Sequence, residues 1–195
     1  YANDDELTDL LTKVAPRIVQ GFSPAMNFNP VWLENLPTLP HRLEVWKSQD
    51  DVMFVNDSKA TTVHAAIYAL RRLQSIRPVV KLVLGGRPKG DDLSLILKEL
   101  RVGDCLYYCG EAADIIEEAL GSLSVKSKRY KHMADLWASE IPHVTRHEAF
   151  LLSPACSSYD EFQNFEERGK SFLNAVVRLR GELKKDHPVF GTSRR

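Results

Sequence analysis

Val79-Val80-Lys81-Leu82-Val83-Leu84-Gly85-Gly86-Arg87-Pro88-Lys89-Gly90 is the stretch on which the fold turns. Its first six residues are apolar on both alternating faces except for Lys81, so they read as a strand covered on both sides, the habit of parallel sheets. The run is far too short to cross a membrane. It ends in two glycines, the signature of a tight strand-to-helix turn. Working outward, residues 43–47 and 52–55 read as two strands, and Ser48-Gln49-Asp50-Asp51 between them suggests a hairpin. Residues 61–73 form an amphipathic helix. Downstream come a helix over 93–100, a strand over 105–108, a helix over 112–120 and a short strand over 125–130. A helix over 132–139, a strand over 149–152 and a long helix over 162–183 complete the series. Strands alternating with helices imply an α/β fold with a doubly wound, mostly parallel sheet and flanking helices.

Composition sets the outer limits. The chain has 195 residues, and its 26 Lys and Arg balance its 26 Asp and Glu. Zero net charge argues against a general nucleic-acid binder, which needs a basic footprint. Hydrophobic residues at 44% suffice for a real core, and no run is long enough for membrane insertion. Cys105, Cys109 and Cys156 form no CxxC pair and no disulfide framework, and the six His are scattered, so reduced thiols, a cytoplasmic location and no metal site are expected. The chain opens on Tyr1, and Asp4, Asp5, Glu6 and Asp9 stand where a secretory signal carries cations, so it reads as a piece of a longer protein. Residues 1–38 read as a capped helix through Leu7, Leu10, Leu11 and Val14, followed by a Pro-rich linker. The main domain spans 39–185, and 186–195 are a tail.

In doubly wound sheets ligands sit beyond the carboxyl ends of the strands. Three such loops carry unusual residues. In Asn56-Asp57-Ser58-Lys59-Ala60-Thr61-Thr62, the side chains of Asp57, Ser58 and Thr61 suit capping of the next helix, whose N-terminus attracts anions beside Lys59. The bland alternative is a plain cap with a solvated lysine. Gly85 to Gly90 matches neither GxxxxGK(S/T) nor GxGxxG; it is either a glycine-rich turn or a close backbone approach to a ligand with Lys89, and also Arg87, as cations. In Leu151-Leu152-Ser153-Pro154-Ala155-Cys156-Ser157-Ser158-Tyr159-Asp160, small and hydroxyl residues admit a carboxylate. Cys156 reads as an inert buried thiol ahead of a nucleophile, because no His is placed to activate it. Two lysines and a set of hydroxyls on one edge suit a substrate with more than one carboxylate.

The order of motifs carries a resemblance. Leu39-Pro40-His41-Arg42-Leu43-Glu44, Asn56-Asp57-Ser58-Lys59-Ala60-Thr61, Gly85-Gly86-x-x-Lys89-Gly90 and Leu152-Ser153-Pro154-Ala155-Cys156-Ser157-Ser158 follow one another. They precede Asp160-x-Phe162-x-Asn164-Phe165-Glu166-x-Arg168-Gly169. Over about residues 36–183 the chain resembles the C-terminal domain of the Mur ligases, on the branch that adds D-glutamate to UDP-N-acetylmuramoyl-L-alanine. The resemblance implies a Rossmann-like domain of an ATP- and Mg2+-dependent ligase of peptidoglycan synthesis. That ligase activates a carboxylate as an acyl phosphate, which the amine of D-glutamate attacks. It implies Arg42 and Asp57 at ATP, and Lys59, Thr61, Lys89, Ser158, Tyr159 and Phe165 around D-glutamate. Two residues depart from the pattern. Arg87 stands where an acid is common, making the local field more positive, and Tyr159 replaces an aliphatic residue. The family's P-loop, metal ligands and carbamylated lysine belong to a central ATPase domain not found here. No catalytic residue is therefore expected in this chain, which should contact that domain and be inactive alone. A folylpolyglutamate synthase-like glutamate ligase domain and a non-catalytic Rossmann-like binding module are the alternatives.

Overall fold

The computed structural model describes residues 39–121 and 123–186. The N-terminal helix and linker read at 1–38, and the tail from 187 on, lie outside the described residues. The elements are β1 (Glu44–Ser48), β2 (Met53–Asn56), α1 (Val63–Gln74), β3 (Val79–Gly85), α2 (Ser94–Leu97) and β4 (Cys105–Cys109). They continue with α3 (Ala113–Leu120), β5 (Lys126–Arg129), α4 (Met133–Glu140), a 3-10 turn (Ile141–His143), β6 (Glu148–Ala155), α5 (Phe165–Arg180) and β7 (Leu183–Asp186).

One seven-stranded sheet has the order β5-β4-β3-β6-β2-β1-β7. The block from β5 to β2 is parallel throughout, and β1 joins β2 and β7 antiparallel. The hairpin therefore forms where the Ser48–Asp51 turn was read. The parallel strands β3, β4 and β6 feed one layer on each face, as the both-sides-apolar pattern requires, whereas the edge strand β5 is exposed along its length. On one face Val80, Leu82, Leu84, Leu106 and Leu151 pack under α1, α2 and α3. On the other, Val83, Tyr107, Phe150 and Leu152 pack under α4 and α5. Phe150 and Phe172 stack at 6.0 Å there, with Trp137 5.1 Å from Phe172. Lys81, the lone charge in β3, pairs with Glu148 at 2.9 Å and donates to the His143 carbonyl at 3.2 Å, which satisfies an otherwise costly buried ammonium.

Two elements differ from the sequence reading. The helix over 93–100 shrinks to Ser94–Leu97. Its last residues pass to i→i+3 bonds, Glu99 N to Ile96 O at 3.0 Å and Leu100 N to Leu97 O at 3.4 Å; beyond them Asp104 takes the amides of Arg101 (2.9 Å) and Val80 (2.7 Å) and the Gln74 side chain (2.8 Å), fixing the turn into β4. The long last helix starts at Phe165, where Asn164 caps the Glu167 amide at 2.7 Å, and stops at Gly181 in a positive-φ conformation. Leu183–Asp186 then becomes β7, covering the outer edge of β1.

The connections fix where a ligand can sit. From β3 the chain steps outward through β4 to β5, then returns by α4 to insert β6 between β3 and β2. The direction of winding reverses at β3 and β6, which opens a crevice beyond their carboxyl ends.

Candidate functional site

The three loops read as chemically unusual meet at that crevice. β2, β3 and β6 run parallel, so residues 57–62, 86–90 and 156–160 leave the same edge. They are bonded to one another: Ala155 N to Ala60 O at 2.9 Å, Arg87 N to Ser157 O at 2.9 Å, and Ser157 N to Arg87 O at 3.0 Å. Gly86 has φ 124, and a Cβ there would lie 2.2 Å from the Ser157 carbonyl oxygen, so only glycine permits this approach. His41 (φ 60), Leu43 (φ 45) and Ala155 (φ 59) also hold left-handed conformations at this edge. Such strain in non-glycine residues persists where the surroundings enforce it, and it gathers at functional sites.

Thr62, rather than Asp57, Ser58 or Thr61, caps α1, accepting from Ala65 N at 3.4 Å. That leaves the Thr61 hydroxyl to accept from Lys89 Nζ at 2.9 Å. Lys59 is exposed, and its ammonium stands 5.2 Å from the centre of the half-buried Phe165 ring. The edge of His41 supports the same ring at 6.2 Å. Among the described residues, neither Lys59 nor Lys89 has a carboxylate at ion-pair distance. Ser158 is buried on the β6 loop, whereas Tyr159 projects into solvent at 63% exposure. Arg87 does not add the positive field expected of it. Its guanidinium makes two bonds to Glu111, at 2.9 and 3.0 Å, which neutralise its charge.

Arg42 and Asp57 sit at the β1 side of the crevice. Asp57 is buried; its carboxylate accepts from Leu43 N at 3.1 Å and Ser153 Oγ at 2.8 Å, while its own amide bonds to Leu152 O at 2.8 Å. Burial raises its pKa from 3.8 to about 6, against the pull of those hydrogen bonds and of the nearby Arg42 charge. Below pH ~4 the native and unfolded chains both hold this proton. Between there and about 6 only the native chain does, so stability falls as pH rises through that window. Asp57→Asn should remove roughly 2–3 kcal/mol of this dependence. Urea unfolding at pH 4.0, 5.0, 6.0 and 7.5 would show it, as a variant-minus-wild-type stability that grows with pH; a difference flat in pH contradicts the assignment.

The sequence reading gave no role to the residue that joins the three loops. Arg168, fully buried on α5, donates through Nε to Ser58 Oγ (3.0 Å) and through Nη2 to the carbonyls of Ser58 (2.8 Å) and Cys156 (3.1 Å). Its Nη1 reaches the Gly85 carbonyl at 3.5 Å. Its neighbour Gly169 lets α5 lie against the start of the domain, since a Cβ would meet His41 Nδ1 at 2.2 Å. Asn56 Nδ2 lies 2.9 Å from the same His41 nitrogen and donates to Glu44 at 3.3 Å. The motif Asn164–Gly169 carried the only signal, as part of a resemblance. Burial raises the Cys156 thiol to about 11, in keeping with its reading as inert. Among the described residues no three His, Cys, Asp or Glu side chains gather to hold a metal ion.

The fold and this edge define a class: a Rossmann-like α/β domain whose switch-point loops carry ammonium groups that have no carboxylate partner among the described residues. Comparison with known proteins makes the class specific. Residues 41–156 match the family model described as Mur ligase, glutamate ligase domain, and the chain belongs to that family. Over 151 residues it is 40% identical to a "UDP-N-acetylmuramoylalanine--D-glutamate ligase" of Salinibacter ruber, a match covering 75% of this chain and 32% of that protein. A protein of the same name from Chloroherpeton thalassium is 37% identical over 148 residues, 71% of this chain and 29% of its own. The chain thus spans about a third of the length of these relatives. Among solved structures, UDP-N-acetylmuramate-alanine ligase MurC from Thermotoga maritima superposes with TM-score 0.60 at 15% identity, covering 91% of this chain and 39% of its own. The bifunctional folylpolyglutamate synthase/dihydrofolate synthase of Yersinia pestis, complexed with AMPPNP and Mn ion, gives TM-score 0.55 at 15% identity, over 83% and 38%. These two likenesses confirm the α/β fold.

Proposed function

We propose that this chain is the acceptor-amino-acid domain of an ATP-dependent ligase that joins D-glutamate to UDP-N-acetylmuramoyl-L-alanine in the cytoplasm. The observation that carries the reading is the Lys89 ammonium, set on the Thr61 hydroxyl at 2.9 Å with no carboxylate at ion-pair distance among the described residues. A dicarboxylic amino acid supplies the missing anion at its side chain, and a lysine reads it as a point charge. Lys59, held over Phe165, adds a second cation on the same edge. The small β6 loop with Ser158 and the projecting Tyr159 bound the far side.

Arg42 and Asp57 suit the nucleotide: an exposed guanidinium for phosphate beside a buried carboxylate whose two oxygens are already aimed by Leu43 and Ser153. ATP supplies the phosphoryl group that activates the acceptor's partner carboxylate. The divalent ion is assigned to ligands beyond the described residues, because no cluster here fits it. What these residues contribute is binding and orientation: they hold the amino acid by its carboxylates and leave its amine free to attack.

In a ligase carrying this chain, phosphate release with UDP-N-acetylmuramoyl-L-alanine is expected with D-glutamate and not with L-glutamate. Turnover with L-glutamate on a folate instead would transfer the domain to the folylpolyglutamate class.

A further inference from the structure

Arg168 is spent on something other than packing. It is 0% exposed, and among the described residues its guanidinium has no carboxylate at ion-pair distance; all its partners are neutral oxygens. An unpaired buried cation is costly, whereas an apolar side chain fills the same space without that cost. The position of its acceptors shows what the cost maintains. Ser58 lies one residue before Lys59 and three before Thr61; Gly85 lies four before Lys89; Cys156 lies two before Ser158. One planar fork thus reaches each loop that carries a proposed acceptor contact. Asp57 is fixed separately, by Leu43 N, Ser153 Oγ and its own amide on Leu152 O.

We infer that Arg168 is a positioning residue specific to the acceptor pocket: its fork sets the spacing of the Lys59–Thr61, Lys89 and Ser158 segments, and the nucleotide edge does not depend on it. This rests on the acceptor-domain reading above. Lysine cannot replace it, because a single ammonium cannot span acceptors on three loops in a plane.

The test has two arms, on Arg168→Lys and on Ser58→Ala, which removes only the Nε acceptor and the Ser58 Oγ bond to Phe165 O. The first arm is amide hydrogen exchange on the chain itself, without ligand. Faster exchange is expected at Ala155, Arg87 and Ser157, the amides that join the loops, with Asp57 and the interior of α5 still protected. Unchanged exchange at these three amides, or an equal rise throughout the domain, overturns the inference. The second arm is kinetics in the ligase carrying the chain. The KM for D-glutamate should rise about tenfold to a hundredfold, with the KM for ATP nearly constant. A common rise in both constants overturns the specificity to the acceptor side. A wild-type ligase that does not use D-glutamate refutes the acceptor reading, and the inference with it, while the exchange arm still decides whether the fork ties the loops.

Discussion

In a ligase carrying this chain, Lys89→Ala should raise the KM for D-glutamate about ten- to hundredfold, the consequence of losing a charge-assisted contact worth ~1.5–3 kcal/mol. The structure places the expectation at the upper end. Arg87 is the only other cation on that loop, and it is bound to Glu111 by two bonds, while its backbone pairs with Ser157 on both sides. To replace Lys89 it would have to abandon both. The ATP constant should stay within about twofold, since a binding contact confined to one substrate leaves the other's constant unchanged. Asp57 is tied to Leu43 and Ser153 rather than to Lys89. A solvated turn lysine would leave both constants unchanged. An ATP constant that rises more than that for D-glutamate would move Lys89 to the nucleotide.

Gly86→Ala is expected to be strongly destabilising. The residue has φ 124, and its new Cβ would lie 2.2 Å from Ser157 O, 3.0 Å from Arg168 Nη1 and 3.2 Å from Cys156 Cβ. The backbone conformation alone costs an alanine ~1–3 kcal/mol. Relief of the contacts requires the β6 loop to move off Arg87, breaking the paired bonds there. A total loss of about 3–5 kcal/mol follows, in the range reserved for backbone collisions. Gly90→Ala is the control. Gly90 also has a positive φ, at 90, but nothing lies within 4 Å of its Cβ, so only the conformational part applies. Urea midpoints of the two variants separate the contributions. Equal losses would mean that the loops are not packed against one another as described.

How much of this was legible in the sequence follows from the range of the interactions. The parallel core was readable because Val79 to Leu84, Cys105 to Tyr108 and Ala149 to Leu152 are apolar on both faces, a local property. β7 was not, because Leu-Lys-Lys-Asp has no strand period. Its pairing with β1 comes from backbone bonds that Lys47 reinforces by an ion pair to Asp186 at 3.2 Å. The turn that follows α2 is fixed by Asp104, whose partners Gln74 and Val80 are 30 and 24 residues away. At the site, Lys89 announced itself by following two glycines at a strand end, but the Thr61 hydroxyl that holds it is 28 residues distant. Arg87 read as a free cation because nothing local shows Glu111 within reach. Arg168 was the hardest, since an arginine on a charged helix reads as solvent-facing. Its burial is created by Ser58, Gly85 and Cys156, which only the folded sheet brings together.

The central claim is that the carboxyl edge of β2, β3 and β6 binds D-glutamate. Amide NMR of the chain titrated with D-glutamate tests it most directly. An open cleft of about 480 Å³ at the opposite edge, between the hairpin turn and β7, lined by Lys47, Asp51, Glu182 and Lys184 among others, serves as an internal control. Shifts are predicted at Lys59 to Thr61, Gly86 to Lys89, Ser157 to Tyr159 and Phe165, with Lys47 to Asp51 and Glu182 to Asp186 still. Shifts confined to the opposite cleft, or none at the carboxyl edge at saturating ligand, would contradict the account.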